Sequence, residues 1–231
     1  MLSILFPDPP ERIYEVIMKK HLVSVLCLIL GIAIGVCGCL IVLVAGESSG
    51  RGQLPPESPN LPRESGLQDS ELTALAYTVA GLIREGDYRT LSTYIHPVYG
   101  LVFAPNSTIN LASNQCFTPN RVAYTAEDST IYVWGTRYGT DEPIQLTTAQ
   151  YFYGYVYNRD YVRAPLIGVN HIVKSGNALE NVTSVFPEGK FVDFCFPGAT
   201  DGSGWSTLRI VFEPYEGEMK LSALIHSEYT E

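Results

Sequence analysis

The chain has 231 residues, a formal charge of −9 and 46% hydrophobic side chains, enough apolar content for a packed core. Asp8, Glu11 and Glu15 offset Arg12, Lys19 and Lys20, so the whole negative charge lies beyond residue 46. An acidic exterior disfavours nucleic acid and anionic polymers, and no basic run interleaved with aromatic residues counters it.

The first 21 residues read as a short cytoplasmic tail. From Leu22 to Gly46 no side chain is charged, and Ser24 is the only clearly polar one. About 25 residues at 1.5 Å rise would cross a hydrocarbon core of roughly 30 Å, which predicts a transmembrane helix over 22–46. Lys19, Lys20 and His21 before it and Glu47 after it orient the N-terminus to the cytoplasm. The expected location is the cell membrane, single-pass, with the C-terminal domain outside. The run "VCGC" keeps two alternatives open: Cys39 as the lipidated first residue of a lipoprotein, or a cleaved signal ending after Gly46. Against lipidation, Cys39 is followed by "LIVLVAG" and not by a polar tether. All three put the residues beyond 47 on the same side.

Residues 47–68, "ESSGRGQLPPESPNLPRESGLQ", hold little to bury and read as a semi-extended linker. One extracytoplasmic domain is predicted over 69–231. A helix opens it, capped at Asp69 or Ser70. Its Leu72, Leu75, Ala76, Val79, Leu82 and Ile83 follow i, i+3, i+4, i+7 spacing, and Gly86 is its stop. Asp87 caps a shorter helix carrying Tyr88, Leu91 and Ile95, ended by His96-Pro97. "GLVFAP" predicts a strand, and "TPNRVAYTAED" a short helix begun by Thr118-Pro119. "IYVWGTRYG" predicts a strand and turn, and "TTAQYFYGYVYNRDYV" one more helix capped at Thr147 or Thr148.

The last third alternates. Val192, Phe194 and Phe196 share one face of "KFVDFCF", with Phe191, Asp193 and Cys195 on the other. Leu208, Ile210 and Phe212 alternate likewise. After a turn at Tyr215–Glu218, Met219, Leu221, Ala223 and Ile225 are expected to share a face. This gives an antiparallel hairpin of 207–213 with 219–226. The expected fold class is α+β: an N-terminal transmembrane helix, then helices packed on a curved antiparallel sheet.

Cys116 and Cys195 lie in the exterior, and a disulfide or two buried thiols fit equally, since sequence gives no distance between them. No Cys–His spacing suits zinc, "GATDGSG" lacks the ligand register and closing Glu of a calcium loop, and "SGNALENVTS" lacks the ending of a phosphate loop. No metal or cofactor is therefore expected. Asn106 and Asn181 match glycan acceptors by pattern only. The candidate acid–base groups are His96 at a helix end, His226 out of phase with its strand's apolar face, and Asp193. Nothing in their spacing demands convergence, and structural hydrogen bonding accounts for each. Trp134, Trp205 and the 15 tyrosines raise carbohydrate or peptide binding, because flat rings stack on sugars and apolar faces. An amphipathic helix over "YFYGYVY" and a core edge at Trp205 explain them without a ligand.

Helices first and a curved sheet last resembles the cystatin-like α+β cone of the nuclear transport factor two superfamily. "LSTYIHPVYGLVFAP", "IYVWGTRYGTDEPIQLTTAQYF", "VNHIVKSGN", "FCFPG" and "GWSTLRIVFEPYEGEMKLSALIHSEYT" together resemble a group of secreted or lipid-anchored proteins of Gram-positive bacteria. There "HP..G..FSP", "YTWG..DG" and "W..L.LVFE....W.L..IIH..WT" recur. The resemblance spans residues 70–230, with Ala104-Pro105-Asn106 standing where the group has Ser-Pro-Tyr, and Tyr229 where it has Trp. It implies an extracytoplasmic domain and brings no chemistry.

Two readings follow. The first is a membrane-tethered extracytoplasmic binding or accessory domain, held by the membrane through 22–46, for a small ligand or an envelope protein. The second is a small cone-fold enzyme, of isomerase or hydrolase type, using Asp193 with His96 or His226. It requires those side chains to meet.

Overall fold

The computed structural model describes residues 68–229, apart from Tyr138 and Asp141. The expected cytoplasmic tail, the segment 22–46 with Cys39, and the linker up to residue 67 lie outside the described residues. Helix α1 (Asp69–Glu85) begins one residue earlier than its expected cap: Gln68 is the N-cap, and its N–H donates to Glu71 Oε2 at 3.1 Å. Gly86 closes the helix at φ 69°, a left-handed conformation that a side chain would resist. Asp87 then caps α2 (Tyr88–Tyr94), its Oδ1 accepting from Thr90 N at 3.0 Å. The apolar stripe that the spacing predicts is the buried one, with Leu72, Ala76, Val79 and Ile83 inside.

The chain continues through β1 (Leu101–Ala104), β2 (Gln115–Phe117), α3 (Pro119–Ala123), β3 (Ile131–Thr136), β4 (Pro143–Thr147) and α4 (Thr148–Tyr151). It ends with β5 (Leu166–Val169), α5 (Val182–Val185), β6 (Lys190–Phe196), β7 (Ser206–Tyr215) and β8 (Glu218–Glu228). Six strands form one sheet in the order β2-β1-β8-β7-β6-β5, and β3 and β4 pair as a separate hairpin. The expected fold class needs two corrections. The sheet is mixed: β1 runs parallel to β8, with Val102 opposite Ala223 and Ala104 opposite Ile225. Alternation fixes which face a side chain takes but not which strand lies beside it or in which direction. The second correction concerns the membrane: among the described residues no helix is long and apolar enough to cross one. The fold class is α+β with a mixed sheet.

Both faces of the sheet are covered. Val192, Phe194, Leu208, Ile210 and Phe212 pack with Leu72, Ala76, Val79 and Leu91 on the helical side. On the other side Phe191, Val211, Ala223 and Ile225 pack against Ile109 from the loop after β1 and against Val182 and Phe186 in and just after α5. Residues 206–213 of β7 are accordingly all buried. In β8 the pairs Val211–Ala223 and Phe212–Leu221 leave Ser222 without a partner, a β-bulge. The extra residue flips the phase. Met219 and Leu221 therefore face the helices, Ala223 and Ile225 face away, and the expectation of one shared face fails.

The long helix expected after Thr147 is also shorter. α4 spans four residues with Thr147 and Gln150 as its capping box, and a π-helical turn follows at Phe152–Val156. Tyr157 N closes that turn on Phe152 O at 2.7 Å.

Cys116 sits on β2 and Cys195 on β6, and β1, β8 and β7 lie between them. Four strand spacings of about 4.8 Å separate them by roughly 19 Å, against the ~7 Å limit for a disulfide. Both are free thiols. Burial pushes the Cys116 thiol up to about 12 and Cys195 to about 11. A non-reducing peptide map is expected to return both cysteines unlinked. Native protein should leave both unalkylated at neutral pH until denaturant is added.

Leu221 and Ile210 are each 0% exposed in the helical-side core. Asp or Lys at either position is expected to cost about 3 kcal/mol or more of stability in urea denaturation, because charge enters a closed core. Near-neutral values at both would show that the strand phase is wrong.

Candidate functional site

The three acid–base candidates lie in three separate places. His96 is 1% exposed where α2 gives way to β1. Its backbone N–H donates to Leu221 O at 2.9 Å, and its Nδ1 accepts from Val98 N at 3.2 Å and Tyr99 N at 3.0 Å. Two donors on Nδ1 assign the ring proton to Nε2. The ring stacks on Tyr99 at 4.3 Å and meets Tyr215 edge-on at 5.1 Å. His226 lies five positions further along β8 than Leu221, about 16 Å away at strand rise. Asp193 pairs across the sheet with Arg209, and Arg209 with Ile225, so it faces away from the helices while His226 faces Tyr155. The meeting of Asp193 with either histidine does not occur.

Asp193 instead belongs to a buried ion cluster. It is 0% exposed, and its Oδ2 accepts from Val173 N at 2.9 Å and lies 3.5 Å from Arg209 Nη2. Arg209, 1% exposed, donates through Nη1 to Glu180 Oε2 at 2.7 Å and lies over the Phe191 ring. Val173 and Glu180 both come from the stretch that covers the sheet, so the cluster fastens that stretch from beneath. Asn181 fastens it again, exchanging hydrogen bonds of 2.8 and 2.9 Å with the Ile109 backbone. Gly168 allows the close approach: a Cβ there would collide with the His171 carbonyl. Burial raises the Asp193 pKa above its ordinary value, against the pull of Arg209.

At the end of β8 the same covering stretch forms one wall of a cleft of about 220 Å3. Gly176, Asn177 and Ala178 face Tyr155 and Glu228 there, and Thr136 and Arg137 enter from the β3–β4 hairpin. Tyr155 comes from the π-helical turn, a distortion that recurs at functional sites. Its ring stacks on Tyr151 at 5.1 Å, and Tyr151 stacks on Trp134 at 4.0 Å, so a ladder of rings runs from the core to the cleft. His226 stands edge-on to Tyr155 at 5.7 Å, and its Nε2 lies 3.3 Å from Glu228 Oε2. The adjacent His226 imidazole is the main group holding Glu228 below the usual carboxylate range, against burial and with help from Arg159 and Arg137. Burial raises the Tyr155 phenol, Arg137 opposes that rise, and Glu228 adds to it.

Sequence reasoning singled out His226 but missed Glu228, Arg137 and Tyr155. One signal was present: two residues apart on a strand, His226 and Glu228 share a face. Among the described residues no group of His, Cys, Asp and Glu gathers as a metal-ligand set.

No known protein family matches the chain. No curated protein matches it. Among solved structures it is similar to a calcium/calmodulin dependent protein kinase II association domain from Xanthomonas campestris, at 10% identity and a TM-score of 0.30. The match covers 81% of this chain and 99% of that one. A likeness at that score carries no argument about fold or activity. The Gram-positive group resemblance rests on its motifs alone.

Breaking the ion cluster on one side leaves buried carboxylates without their cation. Arg209→Met is expected to lose about 3–5 kcal/mol in urea denaturation, and Asp193→Leu added to it should restore part of that loss. Because the folded pKa of Asp193 is raised, its contribution to stability is complete below 3.8 and is lost as pH rises through the folded value. Asp193→Asn should remove that component from the pH profile of stability. An unchanged profile would show that Asp193 does not titrate differently on folding.

Proposed function

We propose that residues 69–231 form a binding or accessory domain of the α+β cone kind, whose ligand site is the cleft at the end of β8. The observation that carries this reading is the composition of that cleft. A carboxylate, Glu228, a guanidinium, Arg137, and the half-buried Tyr155 line one recess of about 220 Å3. Polar and aromatic side chains converge there in a recess that a small molecule could enter. Placement outside the cytoplasm belongs to the same proposal and derives from the motif resemblance.

The test is a thermal-shift screen of the full chain against a metabolite library, repeated with Ala178→Trp, whose indole would fill the recess. A binder raises Tm through its preference for the folded state. Hits that stabilise the parent chain and fail on Ala178→Trp are expected. Hits that stabilise both equally would remove the cleft from the proposal.

A further inference from the structure

We infer that the cleft takes a single neutral sugar ring, stacked on Tyr155 and held through its hydroxyls. The inference rests on the cleft being the ligand site and adds the chemistry of the ligand. One face of the Tyr155 ring lies on Tyr151, at 5.1 Å and 11°, and its ring stands edge-on to His226. The face away from Tyr151 belongs to a half-buried residue that lines the cleft. A pyranose presents an apolar C–H face of that breadth, and the negative face of an aromatic ring disfavours a compact anion.

Around the ring stand groups suited to hydroxyls. Glu228 supplies an acceptor, Arg137 a planar fork of donors, and Asn177 both. Asn106 keeps its Nδ2 donors for a ligand, because its Oδ1 already accepts from Thr108 N at 3.0 Å.

Charge argues for a neutral ligand. An anion would meet Glu228 and a cation would meet Arg137. A zwitterion would have to meet both at once, and the Arg137 Nε already lies 4.0 Å from Glu142 Oε2. Size sets the length, since about 220 Å3 falls below the roughly 300 Å3 at which drug-sized ligands begin. One ring fits, and an enclosed chain of several does not.

The experiment titrates the full chain with two panels, followed by tryptophan fluorescence. Trp134 reports through the ring ladder, and Trp205 lies against Gly176 of the cleft wall. The neutral panel is D-glucose, D-galactose and N-acetyl-D-glucosamine; the charged panel is glycine, L-glutamate and L-lysine. At least one neutral sugar is expected to bind saturably in the millimolar range or tighter. Tyr155→Leu, which keeps apolar bulk without the ring, should weaken it about tenfold. Glu228→Gln, which keeps an acceptor, should change it only a fewfold. Circular dichroism and Tm of each variant establish that it is folded. Sugar binding that survives Tyr155→Leu unchanged overturns the stacking proposal. Binding of the charged panel alone, lost in Glu228→Gln and in Ala178→Trp, overturns the sugar class and leaves the cleft as the ligand site. Silence toward both panels overturns the sugar class, and silence in the metabolite screen as well overturns the binding reading beneath it.

Discussion

A strand pair buried on both faces gives no side chain on it a route to water, and Arg209 is the residue for which this matters most. Alternation along β7 sends Leu208 and Ile210 to the helices and Arg209 to the opposite side, beneath the stretch that carries Val173 and Glu180. A guanidinium in that position is tolerable only with carboxylates around it. Asp193 comes from the next strand in register and Glu180 from the cover. The cover is thus tied to the sheet by the charge it shields. An apolar residue at 209 would suit the Phe191–Val211–Ile225 surface as well, but would give the cover no fixed position along it.

That fixed position matters because the cover does two jobs. Val182 and Phe186 close the second apolar face, while Gly176 to Ala178 turn outward as the cleft wall. Between them stand Glu180 and Asn181, each bonded to a different part of the domain. The cleft is assembled from parts far apart in sequence: the end of β1, the β3–β4 hairpin, the π-helical turn, the cover and the end of β8. Each is held by packing or hydrogen bonds elsewhere, so the recess is shaped by elements that do not themselves line it.

Local chemistry was legible in the sequence. Gly86, Asp87 and Thr118-Pro119 mark helix ends through backbone conformation and capping that need no tertiary partner. The β7–β8 hairpin was legible because two alternating runs flank a short turn. What could not be read was anything set by distant contact. Val102 pairs with Ala223 across more than half the domain, and no pattern in either strand names the other. β2, β4 and β5 are three to five residues long, too short for a period to declare itself. The candidate site failed for the same reason. His226 drew notice as a titratable residue, but its neighbours Tyr155 and Glu228 acquire meaning only once the π-helical turn and the strand end are side by side. The tyrosine-rich "YFYGYVY" was read as an amphipathic helix, but the π-helical turn there packs Tyr155 against the core on one side and brings it to the cleft on the other.

Ser222 has a consequence for how this chain can vary. Its bulge makes the two halves of β8 opposite in parity, so the outward-to-inward order before it is reversed after it. Losing that single residue would leave plain alternation, with Leu221 and Leu224 still toward the helices and Ala223 and Ile225 still toward the cover. A one-residue deletion is consequently tolerable at Ser222, whereas elsewhere in β8 it would put the residues beyond it on the wrong faces. Where the extra residue sits, and not the number of residues in the strand, decides which of its last side chains reach the cleft.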